Sequence, residues 1–123
     1  MVVPAEVRRA LEEHAREEAP NEACGLVVLR DGEAVRYERG RNTLASRYRF
    51  ELEVDPELWF LEDEGYELAV FHSHPASEAK PSRTDVERIG LWEGRPFLIL
   101  SLATGDLAGF RIADGRVVDE PVT

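Results

Sequence analysis

Apolar positions recur along this chain with two different periods, and the places where the period changes mark its elements. Residues 5 to 18 set Val7, Ala10, Leu11, His14 and Ala15 near helical spacing, with charged side chains on the other face. This predicts a surface helix packed on a sheet, ended by Pro20. Residues 25 to 30 and 33 to 39 read as two strands joined through Asp31-Gly32, a dipeptide suited to a two-residue hairpin. Over residues 46 to 54 the period is two. Tyr48, Phe50, Leu52 and Val54 share one side and Arg47, Arg49, Glu51 and Glu53 the other, which predicts a strand with one core face and one wet face. Asp55-Pro56 supplies an N-cap and a first-turn proline for a second helix running to about Glu64, and Gly65 ends it. Residues 67 to 73 form a short apolar run, predicted as a buried strand. A third helix is expected from residue 82 to about 91. Residues 97 to 102, 107 to 112 and 116 to 118, separated by Thr104-Gly105-Asp106 and Asp114-Gly115, then read as an antiparallel meander. Three helices among hairpin-linked strands, without regular βαβ units, imply an α+β layered fold. The expected architecture is one domain over residues 1–123, a central mixed sheet with helices against it.

Composition narrows what such a domain can do. With 15 basic and 25 acidic side chains the net charge is −10, which disfavours nucleic acid and anionic membrane surfaces as partners. No run approaches the roughly 20 apolar residues of a membrane span. The single cysteine, Cys24, cannot form an internal disulfide, and Met1-Val2-Val3-Pro4 leads straight into the first helix, so a cytoplasmic protein is expected. Trp59 and Trp92 are expected in or near the core.

The chemistry concentrates in residues 72 to 85. His72 and His74 are one residue apart at the end of the buried strand, and alternation sends both to the same face. Pro75 stops the strand. Pro81-Ser82 opens the next helix with Ser82 as N-cap and Asp85 in the first turn, and the intervening loop can fold back to bring Asp85 to the histidines. Two imidazoles and one carboxylate, with no thiolate, suit Zn2+ with a fourth position left open for catalysis. A general base is then wanted, and Glu22, between the first helix and the first buried strand, is the candidate. A capping carboxylate is the plainer account of Asp85, and both roles can hold together. His14 stands alone and reads as structural. Cys24 has no neighbouring base and reads as a small buried side chain rather than a nucleophile.

An upstream glutamate, then His-x-His-Pro, six residues and Ser-x-x-Asp, resembles the JAMM or MPN+ metalloprotease family, and the match spans nearly the whole chain. The resemblance implies an MPN-like, cytidine-deaminase-like fold. It further implies that His72, His74 and Asp85 bind zinc, that Glu22 is general base and acid, and that Ser82 helps stabilise the tetrahedral intermediate. The reaction implied is hydrolysis of a peptide or isopeptide bond at the C-terminal Gly-Gly tail of a ubiquitin-like or sulfur-carrier protein of β-grasp fold. Glu-Ala-Cys-Gly is most similar to small stand-alone prokaryotic members, some of which release cysteine from a sulfur carrier. The segments between motifs are short, so selectivity for particular polyubiquitin linkages is not expected. The alternative is an MPN scaffold that binds partner proteins without cutting. That role expects broken ligands, and here each is present. The basic stretch Arg36, Arg39, Arg41, Arg47 and Arg49 fits solvated strand faces, or, more sharply, a docking surface for an acidic ubiquitin-like partner.

Overall fold

The longest apolar runs become the centre of the sheet. In the computed structural model, which describes residues 1–123, β1 (Cys24–Arg30), β5 (Glu67–His74) and β6 (Pro96–Ser101) are buried along almost their whole length. With β2 (Glu33–Arg39), β7 (Leu107–Ala113) and β8 (Arg116–Glu120) they form a six-stranded sheet in the order β2-β1-β5-β6-β7-β8. Asp31 and Gly32 turn the first hairpin with φ of 51° and 79°, the two left-handed residues that its two-residue loop needs. All pairings are antiparallel except β5 with β6. A parallel pair needs a crossover, and residues 75–95 supply it, carrying α2 (Arg83–Glu87) back over the end of β5.

Both faces of the sheet are covered, which is why the central strands read as continuous apolar runs rather than alternating ones. On one face α1 (Ala5–Glu18) buries Val7, Leu11 and Ala15 against Val27, Leu29, Phe71 and Leu98. On the other, Leu26, Val28, Val70, Phe97 and Ile99 lie under residues 50–66 and the crossover. Alternation along β5 assigns His72 to this second face with Leu68 and Val70, while Ser73 falls on the α1 face with Ala69 and Phe71.

Three expected elements differ. Residues 46 to 54 do not form a strand: only β4 (Leu52–Glu53) pairs, with β3 (Arg41–Asn42), in a separate two-stranded sheet. The alternation still has a physical basis, because Phe50, Leu52 and Val54 turn onto the second core face, but Tyr48 is 74% exposed. This stretch covers the sheet instead of joining it. Its backbone groups find a side chain, Asn42, in place of a neighbouring strand. The second helix starts and stops where expected, with Asp55 accepting from Glu57 N at 3.0 Å and Gly65 at φ 92°, yet Pro56–Glu64 is a 3-10 helix with no fully buried residue. The third helix is only α2, followed by a 3-10 turn at Gly90–Trp92 in which Gly90 has φ 48°. Trp59 and Trp92 stack on each other with centroids 5.0 Å apart, half-buried against the second core. No helix is long and apolar enough to cross a membrane.

Candidate metal and catalytic site

The site forms where β5 ends and α2 begins. Ser82 caps α2: its Oγ accepts from Asp85 N at 3.0 Å, and its own N–H donates to Asp85 Oδ2 at 2.8 Å. This closed capping box fixes the carboxylate. Asp85 Oδ2 then lies 3.1 Å from His72 Nε2 and 3.3 Å from His74 Nε2, and the two Nε2 atoms are 3.1 Å apart. Four tetrahedral ligands about 2.0–2.1 Å from a zinc ion stand about 3.3–3.4 Å from one another. The triangle therefore has the size of one face of such a tetrahedron. His74 Nδ1 donates to Glu78 O at 2.7 Å, which leaves its Nε2 as a bare lone pair facing the other two atoms. Two imidazole nitrogens and a carboxylate oxygen converge at this spacing, a donor set that fits a metal ion.

Glu22 completes the group. Ligand atoms of Glu22, His72, His74 and Asp85 all lie within 4.8 Å of one another, and all four residues are buried. Glu22 is 2% exposed and its Oε1 has no hydrogen-bond partner. Its backbone is held on every side. Glu22 N donates to Ser46 O at 2.8 Å, Asn42 Nδ2 donates to Glu22 O at 3.1 Å, and the next N–H, of Ala23, donates to Ser73 Oγ at 2.8 Å. His72 Nδ1 is a second buried atom without a partner; its ring is stacked on Phe50 at 4.5 Å and meets Phe97 edge-on.

Burial pushes the Glu22 carboxyl up to about 8; His74 works against the shift and Asp85 adds to it. Burial alone would raise Asp85 too, but the two imidazoles and the Ser82 N–H hold it well below the usual carboxylate range. Burial lowers His72. Burial also acts to lower His74, and Asp85 with the Glu78 carbonyl more than offsets it. Cys24 is fully buried and pushed up to about 12, first by burial and then by Glu22 and Glu18, so it is an inert thiol.

The structure thus brings together Glu22, His72, His74, Ser82 and Asp85. Three supporting residues were not singled out by sequence. Ser73 left a signal, a hydroxyl at the odd phase of a buried strand. Phe50 was assigned to a core face, and the face it meets is the His72 ring. Asn42 had no signal beyond its place in a turn. The basic stretch divides: Arg36, Arg39 and Arg41 pair with Glu38, Glu17 and Glu53, while Arg47 and Arg49 make no ion pair. His14 is buried in the α1 face against Tyr37, as a structural residue.

Residues 4–111 match the prokaryotic homologues of the JAB domain. The CysO-cysteine peptidase of Mycobacterium tuberculosis is 32% identical across 99% of this chain and 89% of its own. The desampylase of Haloferax volcanii is 35% identical across 79% of this chain and 77% of its own. Among solved structures, protein DSY2949 of Desulfitobacterium hafniense superposes with a TM-score of 0.81 at 31% identity, covering 99% of this chain and 90% of that one. AF2198, a JAB1/MPN domain protein of Archaeoglobus fulgidus, gives a TM-score of 0.62 at 16% identity over 100% and 99%, a likeness of fold alone. With this fold, these matches and an intact Glu-His-His-Asp group, the chain belongs to the prokaryotic JAB-domain family and is a hydrolytic enzyme of the JAMM type.

Proposed function

We propose that this enzyme is a zinc hydrolase that cleaves the bond joining the C-terminal Gly-Gly tail of a ubiquitin-like or sulfur-carrier protein to an amine. The observation that carries the proposal is the unpartnered, buried Glu22 carboxylate beside three converging ligand atoms. His72 and His74 through Nε2, and Asp85 through Oδ2, would hold the ion. When bound, zinc supplies Lewis acidity, which polarises a scissile carbonyl and makes water easier to deprotonate. Glu22 accepts that proton at its free oxygen and returns it to the leaving amine. A carboxyl raised by burial toward neutrality suits both halves of this exchange. Ser82 Oγ uses a lone pair to cap α2, and its O–H is left to donate to the developing oxyanion, so capping and catalysis do not compete. An extended tail needs only backbone pairing and a narrow approach, which selects glycine.

Of the two curated relatives, the CysO-cysteine peptidase carries a name that points to cysteine as the leaving group, and it matches almost the whole chain. Carrier–cysteine is accordingly the first substrate to try. Intact-mass analysis of zinc-loaded protein with a carrier joined to cysteine, and with a carrier joined to a protein lysine, tests the proposal. Release of free carrier by the wild type and not by Glu22→Gln is expected. No cleavage of any Gly-Gly conjugate by fully metallated protein would return the chain to the scaffold reading.

A further inference from the structure

A groove beside the metal ligands has a composition that the hydrolytic chemistry does not require. Its walls are Ala19-Pro20, the run Pro75 to Ser77, and Arg47 with Tyr48. Pro20 lies two residues before Glu22 and Pro75 directly follows His74, so the groove opens next to the base and one ligand. The Glu22 N–H bond to Ser46 O at 2.8 Å ties the start of the Arg47 segment to the base. Tyr48 N, which donates to Ser46 Oγ at 3.1 Å, tightens that turn. An open volume of about 580 Å³ lies within the usual range of ligand clefts.

Arg47 is the only charged residue of this groove, and it makes neither an ion pair nor a side-chain hydrogen bond. In the same basic stretch Arg36, Arg39 and Arg41 each reach a carboxylate, and Arg49, also without an ion pair, lines a different cleft. We propose that Arg47 is a specificity residue that binds the free α-carboxylate of the leaving amino acid, selecting carriers joined to an α-amine over carriers joined to a lysine side chain. The proposal rests on the hydrolytic function above. Glu22 protonates the leaving nitrogen, so that nitrogen lies at Glu22, where the groove begins. In an α-linked amino acid the carboxylate is two bonds from the nitrogen, and the adjoining groove is the opening that can receive it. A lysine joined through its side chain within a protein brings no carboxylate there. A guanidinium binds a carboxylate through two parallel hydrogen bonds, and Arg47 is exposed, free to offer both to a ligand in the groove. These walls carry no group that demands a particular side chain, so the carboxylate is what the groove reads. Against the negative field of the whole protein, one unpaired arginine supplies the local attraction that an anionic leaving group needs.

The test compares two substrates that differ only at this group: the carrier joined to cysteine and the carrier joined to cysteinamide. Values of kcat/KM are measured for zinc-loaded wild type, Arg47→Ala and Arg47→Lys, with zinc content and melting temperature checked for each. A charge-assisted hydrogen bond predicts an acid-to-amide ratio of about ten to a hundred for wild type. The ratio should fall to about one in Arg47→Ala and take an intermediate value in Arg47→Lys, with the change carried mainly by KM. A wild-type ratio near one, or a ratio that Arg47→Ala leaves intact, would overturn the assignment while leaving the hydrolytic function standing. Failure of wild type on both substrates and on a lysine conjugate would remove the function itself, and this assignment with it.

Discussion

Replacing Asn42 by alanine removes one side chain and unties three parts of the molecule. Its amide donates to Glu22 O at 3.1 Å, Arg49 O at 3.0 Å and, less closely, Ser46 O at 3.4 Å, while its oxygen accepts from Leu44 N and Glu51 N, each at 3.1 Å. An amide has two hydrogens and two lone pairs, so four bonds are well made. At about 1 kcal/mol net per bond, the four amount to about 4 kcal/mol. The bonds to Arg49 and Glu51 are exposed and water replaces much of them, which leaves a cost of about 2–3 kcal/mol. Chemical denaturation of metal-free Asn42→Ala should show that loss in the midpoint with an unchanged slope. None of His72, His74 and Asp85 lies on the released segment, so zinc affinity should stay within about tenfold. The Glu22 backbone loses one of its three anchors, and kcat should fall by about tenfold or more through misplacement of the base. Asn42→Asp keeps the acceptor and loses the donors, and should fall between wild type and alanine. Stability within about 0.5 kcal/mol of wild type, together with unchanged kcat, would refute the role of Asn42 as the pin of this loop.

Glu22→Gln should retain zinc by elemental analysis and lose hydrolysis; loss of the metal along with activity would make Glu22 a ligand instead. Ser82→Ala removes both an N-cap and a donor. A cap alone costs about 1 kcal/mol, so a fall in kcat of a hundredfold or more with only a small shift in melting temperature is expected, and equal losses in both would leave Ser82 as a cap only. His14 is held below its ordinary pKa by burial first and Arg39 second, against the pull of Glu18 and Glu17. Its unfolded form therefore takes up a proton before the native one does, and the stability that it contributes is complete above about pH 6.5 and declines as pH falls through the window below. Denaturation midpoints between pH 7 and 5 should fall more steeply for wild type than for His14→Gln; equal slopes would mean that His14 does not carry the effect.

The convergence of His72, His74 and Asp85 was legible because their arrangement is almost wholly local. Alternation places His72 and His74 on one face, and the cap at Ser82 turns Asp85 back toward them, so a few rules of backbone geometry suffice. Turn chemistry was legible for the same reason: Asp31-Gly32, Asp55-Pro56 and Gly65 act through their own dihedrals and near neighbours. The alternation of residues 46 to 54 identified Phe50, Leu52 and Val54 as facing the core but misplaced the exposed Tyr48, and a period of two is satisfied by any extended segment. Whether its backbone bonds go to a strand or to a side chain depends on a partner that the sequence does not specify.

Taken alone, the chain determined its class, its central strands, the convergence of His72, His74 and Asp85, and Glu22 as the glutamate to look for beside them. Tertiary structure decided what surrounds those groups. It set Ser73 and Asn42 on the backbone about Glu22, stacked Phe50 on His72 and left Arg47 unpaired beside the site while Arg36, Arg39 and Arg41 found carboxylates. Ser73 lies 50 residues from the N–H that it receives, and Asn42 lies 20 residues from Glu22. Contacts at such separations follow from the packing of whole layers, whereas periodicity and capping report only on the nearest few residues.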